Sequence, residues 1–405
     1  MEIFLKDADR VYTYDQLLDH INKASDFCPE FQDKNLFAYF SNLLLGLASG
    51  NDIYLVDSDF SNEELKSLAL NKINEKKHLD DREYSDFKEL LETIRESDAK
   101  ITIFTSGTTG QPKKVTHSYA SLSRAVKTGT RFADNVWGFA YNPTHMAGLQ
   151  VFLQALENRN QIVNIFNLTR AEVYSAIDSN HITHISATPT FYRLLLPYER
   201  EFDSVKRITL GGEKASENLY NAIHRIFPTA KITNVYASTE AGTLFASKGS
   251  DFVFPKNRPH DFKIIDSELY IHKSLLGKSE SLKLIGDFYP TGDLIEWVNE
   301  AEGLFRFKSR KNELINVGGY KINPQEVEDA IREISGVTDV YVFGKANSVL
   351  GNILCANIVK DNTSDISEID IRKLLSEKLQ DFKIPRFIKF VDKIDLTRTG
   401  KMKRI

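Results

Sequence analysis

Apolar and polar positions alternate along this chain with two periods, and the switch between them marks out the elements. Positions 36–47 are almost continuously apolar and end near Gly50, which predicts a buried helix. Ile53, Tyr54, Leu55 and Val56 follow as a strand-length run between Asp52 and Asp57. Ahead of them a strand-like piece leads into Thr13-Tyr14-Asp15-Gln16, the pattern of a capped helix start. Positions 60–100 are highly charged, yet Phe87, Leu90, Leu91 and Ile94 fall on one face of a solvated helix over 84–99. Ile101, Ile103 and Phe104 predict a short buried strand, and a helix is expected over 118–127.

The same rhythm continues. A strand ends at Pro143, with Gly148 before the next helix, and 181–196 reads as strand, Pro turn and helix. Strands are expected at 208–213 and 232–237, and a hairpin over 297–307 turns at Glu302-Gly303. Pro324 opens a helix with Glu326 and Glu328 in its first turn. Strands at 340–343 and 353–358, a helix at 369–379 and a last strand after Pro385 complete a small α+β unit. Helix and strand alternating in this way define an α/β protein.

Composition narrows the class only a little. The chain has 405 residues, enough for more than one domain. It is 41% hydrophobic and 27% charged, ordinary for a soluble protein, and its net charge of -4 gives no reason to expect a nucleic-acid partner. Cys28 and Cys355 lie far apart without metal-ligand spacing, so no disulfide framework is expected and a reducing, cytoplasmic setting fits. The start of the chain lacks a basic segment leading into an apolar core, and no run of about 18 apolar residues occurs, so neither a secretory signal nor a membrane span is expected. Nothing here opposes a homodimer.

The chemistry enters at Thr105-Ser106-Gly107-Thr108-Thr109-Gly110-Gln111-Pro112-Lys113-Lys114, directly after the strand at 101–104. Two glycines bracket a run of hydroxyls and two lysines follow. Glycine lets the backbone approach a ligand closely. Free N–H groups, hydroxyls and ammonium groups together suit a polyphosphate. The spacing is not that of the common nucleotide loop, since no Gly-Lys-Ser/Thr follows. A polar hairpin loop would use the same residue types.

The decapeptide resembles the signature loop of the adenylate-forming superfamily: acyl- and aryl-CoA synthetases, peptide-synthetase adenylation domains and luciferases. The resemblance implies that this loop, with Lys113, holds the β- and γ-phosphates of ATP. Further motifs follow in family order. Pro143-Thr144-His145-Met146-Ala147-Gly148-Leu149 matches the segment whose His lies where carboxylate becomes adenylate, which makes His145 a catalytic candidate. Amino-acid-activating members carry an Asp in this region; none occurs over 140–149, which argues against an α-amino acid substrate. Gly211-Gly212-Glu213 ends a strand where backbone can meet a flat ring, and the resemblance puts it beside adenine and the acyl pocket.

Tyr236-Ala237-Ser238-Thr239-Glu240 brings an aromatic, a hydroxyl and a carboxylate together. Tyr236 can stack on a base, Thr239 can bond a phosphate, and Glu240 suits Mg2+. The family has Gly where Ala237 stands, so the acid pocket is expected to be narrower here. Asp293, after Tyr289-Pro290-Thr291-Gly292, matches the ribose-binding Asp, and Arg310 the ribose-contacting Arg. Asn312 falls at the family's hinge, usually Asp or Lys, while Gly318 and Gly319 match the glycines of the thiol tunnel. Lys401, in Thr397-Arg398-Thr399-Gly400-Lys401, matches the catalytic lysine.

The resemblance therefore implies a large N-terminal multi-layer α/β domain, residues 1–310, binding ATP and acid. A small mobile α+β domain, residues 311–405, would carry Lys401. It implies an acid–thiol ligase using ATP, Mg2+ and either CoA or the phosphopantetheine of an acyl carrier protein. The family places its loop some tens of residues later, so the N-terminal region is expected to be abbreviated. A non-catalytic nucleotide-binding relative is the competing reading, opposed by the presence of Lys401, Glu240 and Asp293.

Overall fold

The computed structural model describes residues 2–105, 113–213, 215, 217–248, 251–256, 258–317, 320–347, 351–361 and 364–395, without the side chains of Thr105, Lys248 and Asn312. The chain divides into two compact units: residues 1–214, 221–250 and 272–289 form one, and 215–220, 251–271 and 290–405 the other.

The first unit is built on a mainly parallel sheet. Gln161–Asn164, Val136–Phe139, His184–Ala187, Arg207–Gly211 and Lys231–Ser238 lie side by side in parallel. Ile3–Asp7 extends it parallel to Gln161–Asn164, and Arg10–Thr13 closes that edge antiparallel, a hairpin the sequence reading did not anticipate. At the other edge the chain turns back after Lys231–Ser238 into Gly242–Lys248. A second sheet orders Glu30–Phe31, Ile53–Leu55, Lys100–Thr105 and Lys113–Ser118, the last pair antiparallel.

The helix Leu36–Ala48 is buried on nearly every side, as its continuous apolar run requires. It packs so closely that a Cβ on Gly46 would stand 2.5 Å from Ile53 Cγ1. Its Phe40 stacks on Phe152 at 4.1 Å between ring centres, and Phe4 meets both rings edge-on. Thr13 and Gln16 form the expected capping box of helix Tyr14–Lys23. In the charged stretch, helix Phe87–Glu96 buries Phe87, Leu90, Leu91 and Ile94, each contributing about 1.5–3 kcal/mol.

Two expectations differ in detail. The helix expected over 118–127 stops early, as Tyr119–Ser123. Tertiary bonds claim the backbone beyond it: Lys127 N–H donates to Gln154 Oε1 at 2.9 Å, and its carbonyl accepts from Gln154 Nε2 at 2.7 Å. Gly148 does not precede its helix but lies inside the first turn of Met146–Leu156.

In the second unit, strands Phe288–Asn299 and Leu304–Arg310 form the expected hairpin, with Gly303 at φ +68 in the turn. Gly292 adopts φ +76 within the long strand, directly before Asp293. The C-terminal part orders Tyr320–Ile322, Ile315–Val317, Gly351–Lys360 and Val337–Asn347, with Phe387–Phe390 parallel to Gly351–Lys360. Helix Pro324–Arg332 starts with its Pro after the Asn323 cap, and Glu368–Ser376 starts in a capping box. Ile322, Val327, Ile331, Val340, Leu354, Ile358 and Ile371 form this part's own core.

Candidate active site

In the first unit, the expected groups gather at the carboxyl ends of parallel strands, where open α/β sheets collect ligands. Lys231–Ser238 carries Tyr236 and delivers Thr239 and Glu240 into the turn before Gly242. Gly242 makes that turn at φ +66, a conformation that favours glycine. The Tyr236 ring lies 5.8 Å from that of Phe245 across the hairpin, and the ladder shifts register between Tyr236 and Ala237.

Strand Lys113–Ser118 follows residues 106–112 in the sequence. Side chains alternate along a strand, so Lys113, Val115 and His117 share one face. Lys114 lies on the other, with its ammonium 6.0 Å from the Phe104 ring centre. His117 is 2% exposed. Its Nε2 lies 2.8 Å from the Thr239 carbonyl oxygen and its Nδ1 2.9 Å from Ser121 Oγ. Burial pushes its pKa below the usual histidine value, against the pull of the Thr239 carbonyl. In the neutral ring Nε2 then carries the proton donated to Thr239, and Nδ1 accepts from the Ser121 hydroxyl. In the next two residues the Glu240 carbonyl accepts from Gly277 N–H at 2.7 Å, and the Ala241 carbonyl from Arg124 Nη2 at 2.5 Å.

His145 caps helix Met146–Leu156 without a side-chain bond to it. Its Nε2 faces Asp57 Oδ2 at 3.4 Å instead. Asp57 is 1% exposed. Its other oxygen accepts from Asp59 N–H at 2.9 Å, and Asn142 Nδ2 donates to Oδ2 at 3.0 Å. Asn142 Oδ1 in turn accepts from Thr144 N–H and Oγ1 at 3.0 and 2.8 Å. The loop holding His145 is thus pinned by a buried polar network that the sequence reading missed. Asp57 gave no signal beyond being a strand-end carboxylate.

Gly211 ends its strand, and a Cβ there would meet Val235 Cγ2 at 3.1 Å; Gly212 follows at φ +83. The Glu213 carboxylate bonds Thr190 N–H and Oγ1 at 3.2 and 2.8 Å and lies 3.7 Å from Arg193 Nη1. It thereby braces the start of helix Pro189–Leu194.

In the second unit Asp293 is 5% exposed, and Arg310 Nε donates to its Oδ1 at 2.7 Å. The Gly292 N–H donates to Glu268 Oε1 at 2.9 Å, and Lys311 Nζ to Glu268 Oε2 at 3.1 Å. Asn312 lies in the short 3-10 helix Lys311–Glu313. Ser106, Gly107, Thr108, Thr109, Gly110, Gly318, Gly319 and Lys401 lie outside the described residues, as does the Thr105 side chain. Among the described residues no three His, Cys, Asp or Glu side chains form a metal cage, and no helix is long and apolar enough to cross a membrane. A single carboxylate such as Glu240 suits Mg2+, which takes one or two carboxylates and the substrate's phosphates.

The fold is that of the adenylate-forming enzymes. The chain superposes on o-succinylbenzoate CoA synthetase from Bacillus subtilis, in complex with its acyl-adenylate intermediate, with a TM-score of 0.73 at 20% identity, covering 99% of this chain and 94% of that one. An amide bond synthetase from Marinactinospora thermotolerans gives 0.75 at 18% identity, covering 99% and 95%. In sequence, residues 46–267 match the AMP-binding enzyme family and residues 326–401 the AMP-binding enzyme C-terminal domain. A 2-succinylbenzoate–CoA ligase from Listeria monocytogenes serotype 4b (strain F2365) is 28% identical over 343 residues, 78% of this chain and 71% of the relative. Bacitracin synthase 3 from Bacillus licheniformis is 25% identical over 77% of this chain and 5% of its own length.

The chain belongs to the AMP-binding enzyme family. It is an AMP-forming ligase, which activates a carboxylic acid with ATP as the acyl-AMP.

Proposed function

We propose that the acid is an aryl or medium-sized carboxylic acid and that the acceptor is the thiol of CoA. The relatives named as CoA ligases support this choice of acceptor, and the lack of an Asp over 140–149 supports an acid without an α-amino group. The observation that carries the nucleotide part of the reading is the 2.8 Å contact between His117 Nε2 and the Thr239 carbonyl. It joins the strand that follows the hydroxyl-rich sequence to the turn bearing Thr239 and Glu240, two segments that phosphate and Mg2+ chemistry needs together.

In this reading the loop over 105–110 and Lys113 hold the β- and γ-phosphates, and Thr239 bonds the α-phosphate. Tyr236 stacks on adenine beside Gly211 and Gly212. Asp293, steadied by Arg310, takes the ribose hydroxyls. Glu240 would hold Mg2+, which supplies charge neutralisation at the phosphates. Glu213 acts through the helix it braces. His145, held by Asp57, faces the acid. A carboxylate oxygen attacks the α-phosphorus in line, the bond to pyrophosphate breaks, and Lys401 bridges the entering and leaving groups. The segment from 311 on then rotates about residues 310–312, withdrawing Lys401 and bringing Gly318 and Gly319 to the thiol path. The thiolate, its proton lost, attacks the mixed anhydride and AMP leaves.

The test is pyrophosphate release with MgATP across aryl, short, medium and long-chain acids, with and without CoA, beside Lys401→Ala. Acid-dependent release that is lost in the variant, with thioester formed only when CoA is present, is expected. Acyl-AMP formation with no thioester from CoA would refute the acceptor and point to a carrier protein. Release with another class of acid but none with aryl or medium-sized acids would refute the choice of acid.

A further inference from the structure

Three segments far apart in the sequence meet at His117. The strand Lys113–Ser118 supplies the ring, the 239–241 turn supplies the carbonyl it bonds, and 275–278 closes the third side. The strand and the third segment are tied by reciprocal bonds, Thr116 N–H to the Lys278 carbonyl and Lys278 N–H to the Thr116 carbonyl, both 2.8 Å. Arg124 spans the turn and the third segment, donating to the carbonyls of Ala241 at 2.5 Å and Leu275 at 3.3 Å. Gly277 leaves room for the ring, since a Cβ there would stand 2.5 Å from His117 Cε1 and 2.6 Å from Nε2. Every carbonyl from Thr239 to Ala241 is therefore held from outside by one donor: His117, Gly277 and Arg124 in turn. A turn fixed by three backbone carbonyls keeps its side chains free to face a ligand. It also sits at a set distance from Lys113, which shares the face of His117.

We propose that His117 is a positioning residue for MgATP: its Nε2–H bond to the Thr239 carbonyl sets the turn bearing Thr239 and Glu240 in register with the strand carrying Lys113, so that Glu240 meets the cation that the phosphates carry. This rests on the nucleotide reading of the site given above. His117 itself touches neither phosphate nor metal. Its substitution acts on nucleotide affinity through the metal and leaves recognition of the acid alone.

The test compares the wild type, His117→Leu, His117→Gln and Ser121→Ala by calorimetric titration with ATP, once with excess Mg2+ and once with EDTA, no acid being present. His117→Leu is expected to weaken MgATP binding about tenfold, the worth of one well-placed neutral hydrogen bond. Its affinity for metal-free ATP should stay within about twofold of wild type. His117→Gln offers an amide N–H at a similar reach and is expected to recover most of the MgATP affinity. Ser121→Ala, which frees the ring at Nδ1 without removing it, is expected to fall between and serves if the leucine variant does not fold. In the pyrophosphate assay the KM for acid should be unchanged in the glutamine and alanine variants. Equal MgATP affinity in wild type and His117→Leu, or an equal loss with and without Mg2+, would overturn the proposal. So would an unaltered Ser121→Ala where the leucine variant fails to fold. A wild type that binds no MgATP at all would instead refute the nucleotide reading beneath it.

Discussion

Gly148→Ala sets two physical effects against each other, and the structure decides the sign. Gly148 lies in the first turn of helix Met146–Leu156, where alanine has the better helix propensity by about 1 kcal/mol. The added methyl, however, would stand 2.3 Å from the Asn142 carbonyl oxygen, 3.1 Å from its carbon and 3.2 Å from Pro143 Cα. All three are backbone atoms, so no side chain can swing aside, and a separation of about 3.5 Å is needed for contact without repulsion. Relief requires the 142–145 turn to move by about 1 Å, an overpacking cost of about 1–3 kcal/mol. The movement also strains the bonds of Asn142 to Asp57 and Thr144, each worth about 1 kcal/mol. The net expectation is a loss of about 2–3 kcal/mol, or roughly 3–6 °C in Tm for a unit of this size. Because His145 ends the same turn, the KM for acid should rise. Gly286→Ala is the control: its φ of +61 makes alanine strained there, but nothing lies within 4 Å of the new methyl. It should cost about 1 kcal/mol and leave the acid KM alone. Unfolding and acid titrations on both variants test this. A Gly148→Ala protein as stable as wild type, with unchanged acid KM, would show that propensity outweighs the clash and refute the reasoning.

Asp57→Asn keeps the shape of the buried network but removes the charge facing His145, and is expected to lower kcat/KM for acid about tenfold while ATP affinity holds; equal loss on both substrates would count against a role through His145. Arg332→Ala removes the cation from Glu328, which is 0% exposed and also accepts from Val342 N–H at 3.0 Å. A loss of about 3–5 kcal/mol from the transition of the second unit is expected in urea, since a buried carboxylate loses its cation. His184 has its pKa lowered to about 4, by burial first and then by Arg207. The unfolded chain binds the proton near 6.5, so the stability it contributes is present above that pH and is lost as pH falls from about 6.5 towards 4. Urea midpoints at pH 7 and pH 5 should differ less in His184→Asn than in wild type.

Local elements were legible where one physical cause dominated. The helix Leu36–Ala48 announced itself because an apolar run of that length has no exposed face to hide. The starts at Thr13 and Pro324 were legible because capping chemistry is local. Where tertiary bonds competed with propensity, the reading slipped. Gln154 bonds the Lys127 backbone beyond the early end of a helix that the sequence would have continued, and Gly148 lies inside its helix rather than before it. The site divides in the same way. Thr239, Glu240, Asp293 and residues 105–110 could be proposed because they match the order of one family's motifs. His117 and Asp57 could not, because their meaning lies in partners 122 residues away for His117 and, for the Asn142 bond of Asp57, 85. Read alone, His117 is a polar residue alternating with Val115, and Asp57 closes a strand. In the fold both are buried, which makes each bond expensive to lose. The groups expected to touch the nucleotide were therefore visible as chemistry, while the groups holding them in place became visible only as geometry. Substitutions at the second kind should accordingly change affinities by steps rather than abolish turnover.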